Sequence, residues 1–131
     1  MATATATPAT NPAASPAAAA GVIEIRAADG QWTAVCARSD LVPGRGVAVL
    51  LPDGRQAALF LDRSGRPHAI GNRDPFTGAC VLARGLLGST GNEGRPFVAS
   101  PLLKQRFDLV TGVCLDEPEV SVPVYAARVV S

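Results

Sequence analysis

One histidine, three scattered cysteines, one tight acidic run and one glycine-rich stretch are the raw material for chemistry in this chain of 131 residues. His68 lies between Pro67 and Ala69 in a segment with strand character. A lone imidazole can serve as a general base, but no Ser or Cys beside it has the setting of an activated nucleophile. His68 therefore reads as a structural or exposed histidine, and a single histidine excludes any multi-histidine zinc or iron site. Cys36, Cys80 and Cys114 form no C-x-x-C pair. An odd count without a secretory leader fits reduced thiols rather than a disulfide framework, and each is expected to be a small buried hydrophobe. Paired carboxylates can exchange protons, but Asp116-Glu117-Pro118-Glu119 falls between two strands beside a proline and reads as a solvated connection. The stretch Arg84–Arg95 carries four glycines, yet lacks both a phosphate-loop spacing and the following helix of a dinucleotide fingerprint. No complete metal, nucleophile or cofactor site is legible.

The bulk numbers narrow the remaining classes. A formal net charge of +1 provides no single-signed field to attract nucleic acid or an anionic membrane. No aromatic platform alternates with basic residues, and no apolar run approaches the ~18 residues of a spanning helix. Apolar residues make up 47% of the chain but aromatics only 5%, so the core must be built from Val, Leu and Ile. Eleven of the twelve basic residues are arginine and one is Lys104, a ratio open to bidentate recognition or to a GC-rich coding bias.

The elements that must position any site are short. Residues 1–20 contain nothing large to bury and several prolines, and are expected to form a disordered tail. Residues 21–131 are expected to fold as one domain. Within it, Gln31–Ala37, Gly46–Leu51, Gln56–Leu61, Pro67–Gly71, Pro96–Ser100, Gln105–Val110 and Ser121–Val130 have strand texture at spacings near ten residues, which predicts an all-β sandwich or barrel-like fold. Pro52-Asp53-Gly54 is a hairpin turn: Pro presets φ, Asp bonds locally and Gly accepts positive φ. Trp32, Phe60, Phe107 and Tyr125 are expected in the core, and Gly71, Gly78 and Gly112 at positions of special backbone geometry. Asn72–Ala79 and Arg84–Arg95 are predicted as loops, where binding on a β scaffold usually resides.

Those loops carry the most specific pattern. Asn72-Arg73-Asp74-Pro75-Phe76 follows a strand, and Ser100-Pro101-Leu102-Leu103 precedes Phe107-Asp108-Leu109-Val110-Thr111-Gly112. This resembles the Rieske domain, in which a Cys-Pro-His loop and a Cys-Pro-x-His loop grip a [2Fe–2S] cluster and F-x-L-x-T-G follows. Both prolines are in register, but Asp74 and Ser100 stand at the cysteine positions and Phe76 and Leu103 at the histidine positions. Two thiolates and two imidazoles are thereby lost, and the oxygens left suit hard cations better than a sulfide-bridged iron pair.

From about Trp32 to Arg128 the wording is similar to one cluster-less family, the small subunit of assimilatory NAD(P)H-dependent nitrite reductase. It matches at Ala69–Phe76, Arg84-Gly85, Val98–Phe107, Thr111–Asp116 and Val122–Tyr125. The resemblance implies a Rieske-type all-β fold and a cytoplasmic, non-catalytic helper without a cofactor of its own. Its partner would be a large subunit holding sirohaem, a [4Fe–4S] centre, FAD and the NAD(P)H site. Phe76 and Leu103 would then be apolar anchors and Lys104 and Arg106 a charged rim at the docking tip, or Phe76 and Leu103 would fill the space a cluster leaves. A ferredoxin-like subunit holding a cluster through other ligands, and an interaction module of another oxidoreductase, are the alternative readings.

Overall fold

A computed structural model describes residues 21–91 and 94–130; the predicted tail at 1–20 lies outside them. Among the described residues ten strands follow in order: β1 (Val22–Arg26), β2 (Trp32–Ala37), β3 (Gly46–Leu50), β4 (Gln56–Leu61), β5 (Pro67–Gly71), β6 (Leu86–Thr90), β7 (Arg95–Ala99), β8 (Arg106–Asp108), β9 (Val124–Tyr125) and β10 (Ala127–Val130). They form three antiparallel sheets, with orders β9-β5-β4-β3, β10-β1-β2 and β6-β7-β8. The helical segments among the described residues are 3-10 turns at Arg38–Asp40 and Leu82–Arg84.

Strand β4 shows why its sequence is an unbroken apolar run. Every residue from Ala57 to Leu61 is buried, because the sheet is covered on both faces. Ala58 and Phe60 join Ile70, Leu82, Val98, Phe107, Leu109, Cys114 and Val122 in one core. Ala57, Leu59 and Leu61 join Ile23, Ile25, Leu41 and Ala69 in a second. The alternation of side chains along one strand therefore serves two layers.

The turns are built as their residues require. In the β3–β4 hairpin Asp53 Oδ1 accepts the Arg55 N–H at 2.9 Å and Gly54 sits at φ +90°. In the β4–β5 turn Asp62 Oδ1 accepts the Ser64 N–H, the Ser64 hydroxyl and the Arg66 N–H, and Gly65 sits at φ +90°. After β8, Asp108 Oδ1 accepts the N–H groups of Val110 and Thr111, which turns the chain toward Gly112.

Three expectations need correction. Leu86–Thr90, read as part of a loop, is strand β6, paired residue for residue with β7. Its Gly88 lies opposite Phe97, whose ring stands where a glycine side chain would be, so the aromatic covers a weak strand position. Ser121–Val130, read as one strand, splits: Val124–Tyr125 pairs with β5 and Ala127–Val130 with β1, so the chain changes sheets at Ala126. Trp32 and Tyr125 are half-buried rather than core; the Arg128 guanidinium lies 3.9 Å from the Trp32 ring centre and also bonds Glu24.

Two of the turn aspartates make stability depend on acid. Burial opposes the charge on Asp62, but the Ser64 hydroxyl, the His68 ring at 2.8 Å and the Arg66 N–H outweigh it and hold the carboxyl well below its usual range. Burial likewise opposes charge on Asp108, and Arg95 at 2.8 Å with the Thr111 and Val110 N–H groups depresses it. Below roughly pH 5 the unfolded chain then binds protons that the folded chain refuses. Stability should be level from neutral pH to that point and fall as the pH drops further. Urea midpoints measured from pH 7 to 3 should show this slope, and Asp62→Asn with Asp108→Asn should flatten it.

Candidate functional site

The tip is made by two loops. The first leaves β5 at Gly71 and is seated by Asn72, whose side-chain amide donates to Gln56 Oε1 at 3.0 Å while its Oδ1 accepts the Ala83 N–H at 2.7 Å. Asn72 thereby ties the loop to the sheet and to the 3-10 turn. Asp74, fully buried, organises the rest. Its carbonyl accepts the Gly78 N–H at 2.7 Å, its N–H donates to Ala79, and its Oδ1 accepts the Phe76 N–H at 2.8 Å. Gly78 lies at φ +82°, closing the turn before Cys80 bridges back to Arg73.

The second loop leaves β7 at Ser100, also fully buried. Ser100 donates its N–H to Gln105 and accepts at its carbonyl from Lys104, while its hydroxyl oxygen accepts the Leu102 N–H at 3.3 Å. Lys104 closes this turn at φ +69°, the left-handed region that costs a non-glycine residue about 1–2 kcal/mol.

One bond joins the loops. The Ser100 hydroxyl donates to Asp74 Oδ2 at 2.6 Å across 26 residues of sequence, with both groups buried. Asp74 and Ser100 are therefore a hydrogen-bonded clasp.

The four residues expected at the docking surface separate into two pairs. Phe76 is half-buried, with its ring centre 6.2 Å from that of Phe107, and packs on the core. Arg106 is tied down by a two-pronged pair with Asp116, 2.8 Å from Nη2 to Oδ1, and by stacking near Phe97. The hydrogen bonds of this pair push the Arg106 guanidinium up and the Asp116 carboxyl down. Leu103 is 54% exposed and Lys104 is exposed. The acidic run departs from its reading as a solvated connection at Asp116, which holds the base of the second loop. Sequence reasoning also passed over Asn72, and over Arg73, Arg84, Leu86 and Leu102, which are exposed around the loops. For Asn72 the only signal was an Asx-type residue directly after a strand.

His68 lies at the other end of β5, paired with Asp62, and takes no part in the tip. Of the cysteines, Cys114 is buried and Cys36 half-buried, but Cys80 is exposed, contrary to expectation. It lies beside the tip loop, where the irregular backbone gives its side chain no layer to enter. Burial, with Asp40 adding to it, pushes the Cys36 thiol up to about 11. A maleimide added to the native protein should label Cys80 first, Cys36 slowly and Cys114 only after unfolding; peptide mass spectrometry would read the order.

The chain matches the family model of the Rieske-like [2Fe-2S] domain over residues 31–131. It is 45% identical over 100 residues to the NADH nitrite reductase small subunit of Salmonella typhimurium, covering 76% of this chain and 90% of that protein. This chain belongs to the nitrite reductase small-subunit family. A crystal structure from Mycobacterium tuberculosis, assigned to the NADH-dependent member of the family, superposes with a TM-score of 0.70 at 57% identity, over 75% of this chain and 85% of that one. A nitrite reductase [NAD(P)H] large subunit from Klebsiella oxytoca contains a similar stretch, 39% identical over 99 residues, which is 75% of this chain and 10% of that protein.

The residues at the tip do not fit the cluster after which the Rieske-like fold is called. Asp74 Oδ2 is engaged by a hydroxyl, the Phe76 ring is engaged with Phe107, and Leu103 has no lone pair. Among the described residues no three His, Cys, Asp or Glu side chains stand together as a metal-binding group. Among them, too, no helix is long and apolar enough to cross a membrane. In this chain the two loops are joined by a hydrogen bond.

Proposed function

We propose that this chain is the cofactor-free small subunit of a cytoplasmic NAD(P)H-dependent nitrite reductase and works by docking on the large subunit. The observation that carries the reading is the Klebsiella oxytoca relative, in which a stretch similar to three quarters of this chain is part of the large-subunit polypeptide itself. A domain that one protein carries within the large subunit is a natural partner of that subunit when it is a separate chain. Nitrite reduction to ammonia would belong to the partner's sirohaem, [4Fe–4S] centre and FAD, fed by NAD(P)H, since hard redox chemistry is the cofactor's. This chain would hold or shape the partner without carrying electrons.

The test is to express the large subunit with and without this chain. Copurification at fixed stoichiometry and faster or more durable nitrite-dependent NAD(P)H oxidation in the complex are the expected results. The isolated chain should be colourless, iron-free and silent in reduced-state EPR. Bound iron with a [2Fe–2S] signal would replace this reading with an electron-transferring one, and failure of the two chains to associate would remove it.

A further inference from the structure

We infer that the tip presents an apolar patch of Leu86, Leu102 and Leu103, rimmed by the cations Arg73, Arg84 and Lys104, that inserts into an acid-rimmed apolar hollow on the large subunit. The inference rests on the proposed function for the identity of the partner and adds the surface and its chemistry. Leu86, Leu102 and Leu103 are 73%, 49% and 54% exposed, a cost in water that a protein interface removes. They are brought to one end of the molecule by the backbone. Leu86 pairs directly with Ala99, the residue before Ser100, and Leu102 and Leu103 follow in the loop that Ser100 closes.

The rim comes from three different segments. Arg73 precedes Asp74 and is joined to the second loop through the Asp74–Ser100 bond. Arg84 ends the 3-10 turn that hydrogen-bonds to Asn72, and its neighbour Gly85 packs against the Ala99 carbonyl. Lys104 is held in its left-handed conformation at the end of the second loop. All three are exposed, and none takes part in an ion pair among the described residues, whereas Arg106, beside them in sequence, is neutralised by Asp116. The acid within these loops is Asp74, which is buried. A protein of net charge +1 therefore gathers unpaired positive charge around apolar side chains at one end. That is the anatomy of an interface with an anionic rim on the other side. Phe76, half-buried on the core, and Arg106, exposed but tied to Asp116, become positioning residues rather than contacts.

The experiment is titration of the full chain and its variants against the cofactor-loaded large subunit by calorimetry, with circular dichroism to show that each variant is folded. Leu102→Asp with Leu103→Asp should weaken binding on the order of a hundredfold, as the loss of central apolar anchors does. Arg73→Glu, Arg84→Glu and Lys104→Glu together should weaken it about tenfold or more and abolish the loss of affinity with added salt that the wild type shows. Arg63→Glu, at the far end of β5, should leave binding within about twofold of wild type, since a rim charge acts locally. Should the leucine variant fail to fold, the charge-reversed variant decides. If wild type binds and the folded tip variants bind equally well, the tip inference is overturned while the subunit assignment stands. If wild type does not bind, the assignment itself fails. If the leucine variant alters only self-association of the isolated chain, the patch joins copies of this protein and the inference is likewise overturned.

Discussion

Phe107→Ala is expected to destabilise the domain by about 4 kcal/mol, a large part of the 5–15 kcal/mol that holds a domain of this size together. Phe107 is completely buried and lies in the core that joins the β9-β5-β4-β3 sheet to the β6-β7-β8 sheet. Its backbone pairs with Val98 on one side and bridges to Cys114 on the other, so neighbouring strands cannot close over the space a lost ring leaves. The cost is then the transfer of the ring plus the cavity. The Phe76 ring would lose its partner in the same step, loosening the first tip loop. Urea unfolding should show the fall in midpoint at unchanged slope. A loss below about 1 kcal/mol would mean that the two sheets do not depend on this contact.

Asp74→Ala is expected to cost about 3 kcal/mol, because it strands the buried Ser100 hydroxyl and takes the acceptor from the partly buried Phe76 N–H. Ser100→Ala should cost less, since Asp74 keeps its bond from Phe76. The double variant should be more stable than the sum of the singles implies, by about 1 kcal/mol or more, because the partners act on each other. Strict additivity in this cycle would show that the two loops are held by something other than the clasp. A clasp of this kind joins two loops with a carboxyl and a hydroxyl alone.

Much of the fold was legible in particular residues. The run Gln56–Leu61 and the turn Pro52-Asp53-Gly54 marked the β3–β4 hairpin, and both arms formed as antiparallel strands. Period and turn chemistry are local properties, so they are present in the chain before it folds. Leu86–Thr90 was not legible, because its strand depends on a ring from β7 covering Gly88. The change of sheet at Ala126 was hidden for a similar reason: both halves have strand texture, and only their separate neighbours divide them.

At the site, the sequence by itself determined that Asp74, Phe76, Ser100 and Leu103 bring neither thiolate nor imidazole to the two loops that resemble Rieske ligand loops. It also carried the loop prolines and the Phe107–Gly112 phrase that connect the chain to its family. The tertiary structure alone decided what the replacements do. Asp74 and Ser100 are 26 residues apart in sequence and become partners only when both loops reach the same end of the molecule. Phe76 packs against Phe107 beneath the first loop, while Leu103 on the second stays exposed. Burial and pairing are set by what the rest of the chain brings alongside, and no single stretch of sequence contains that information.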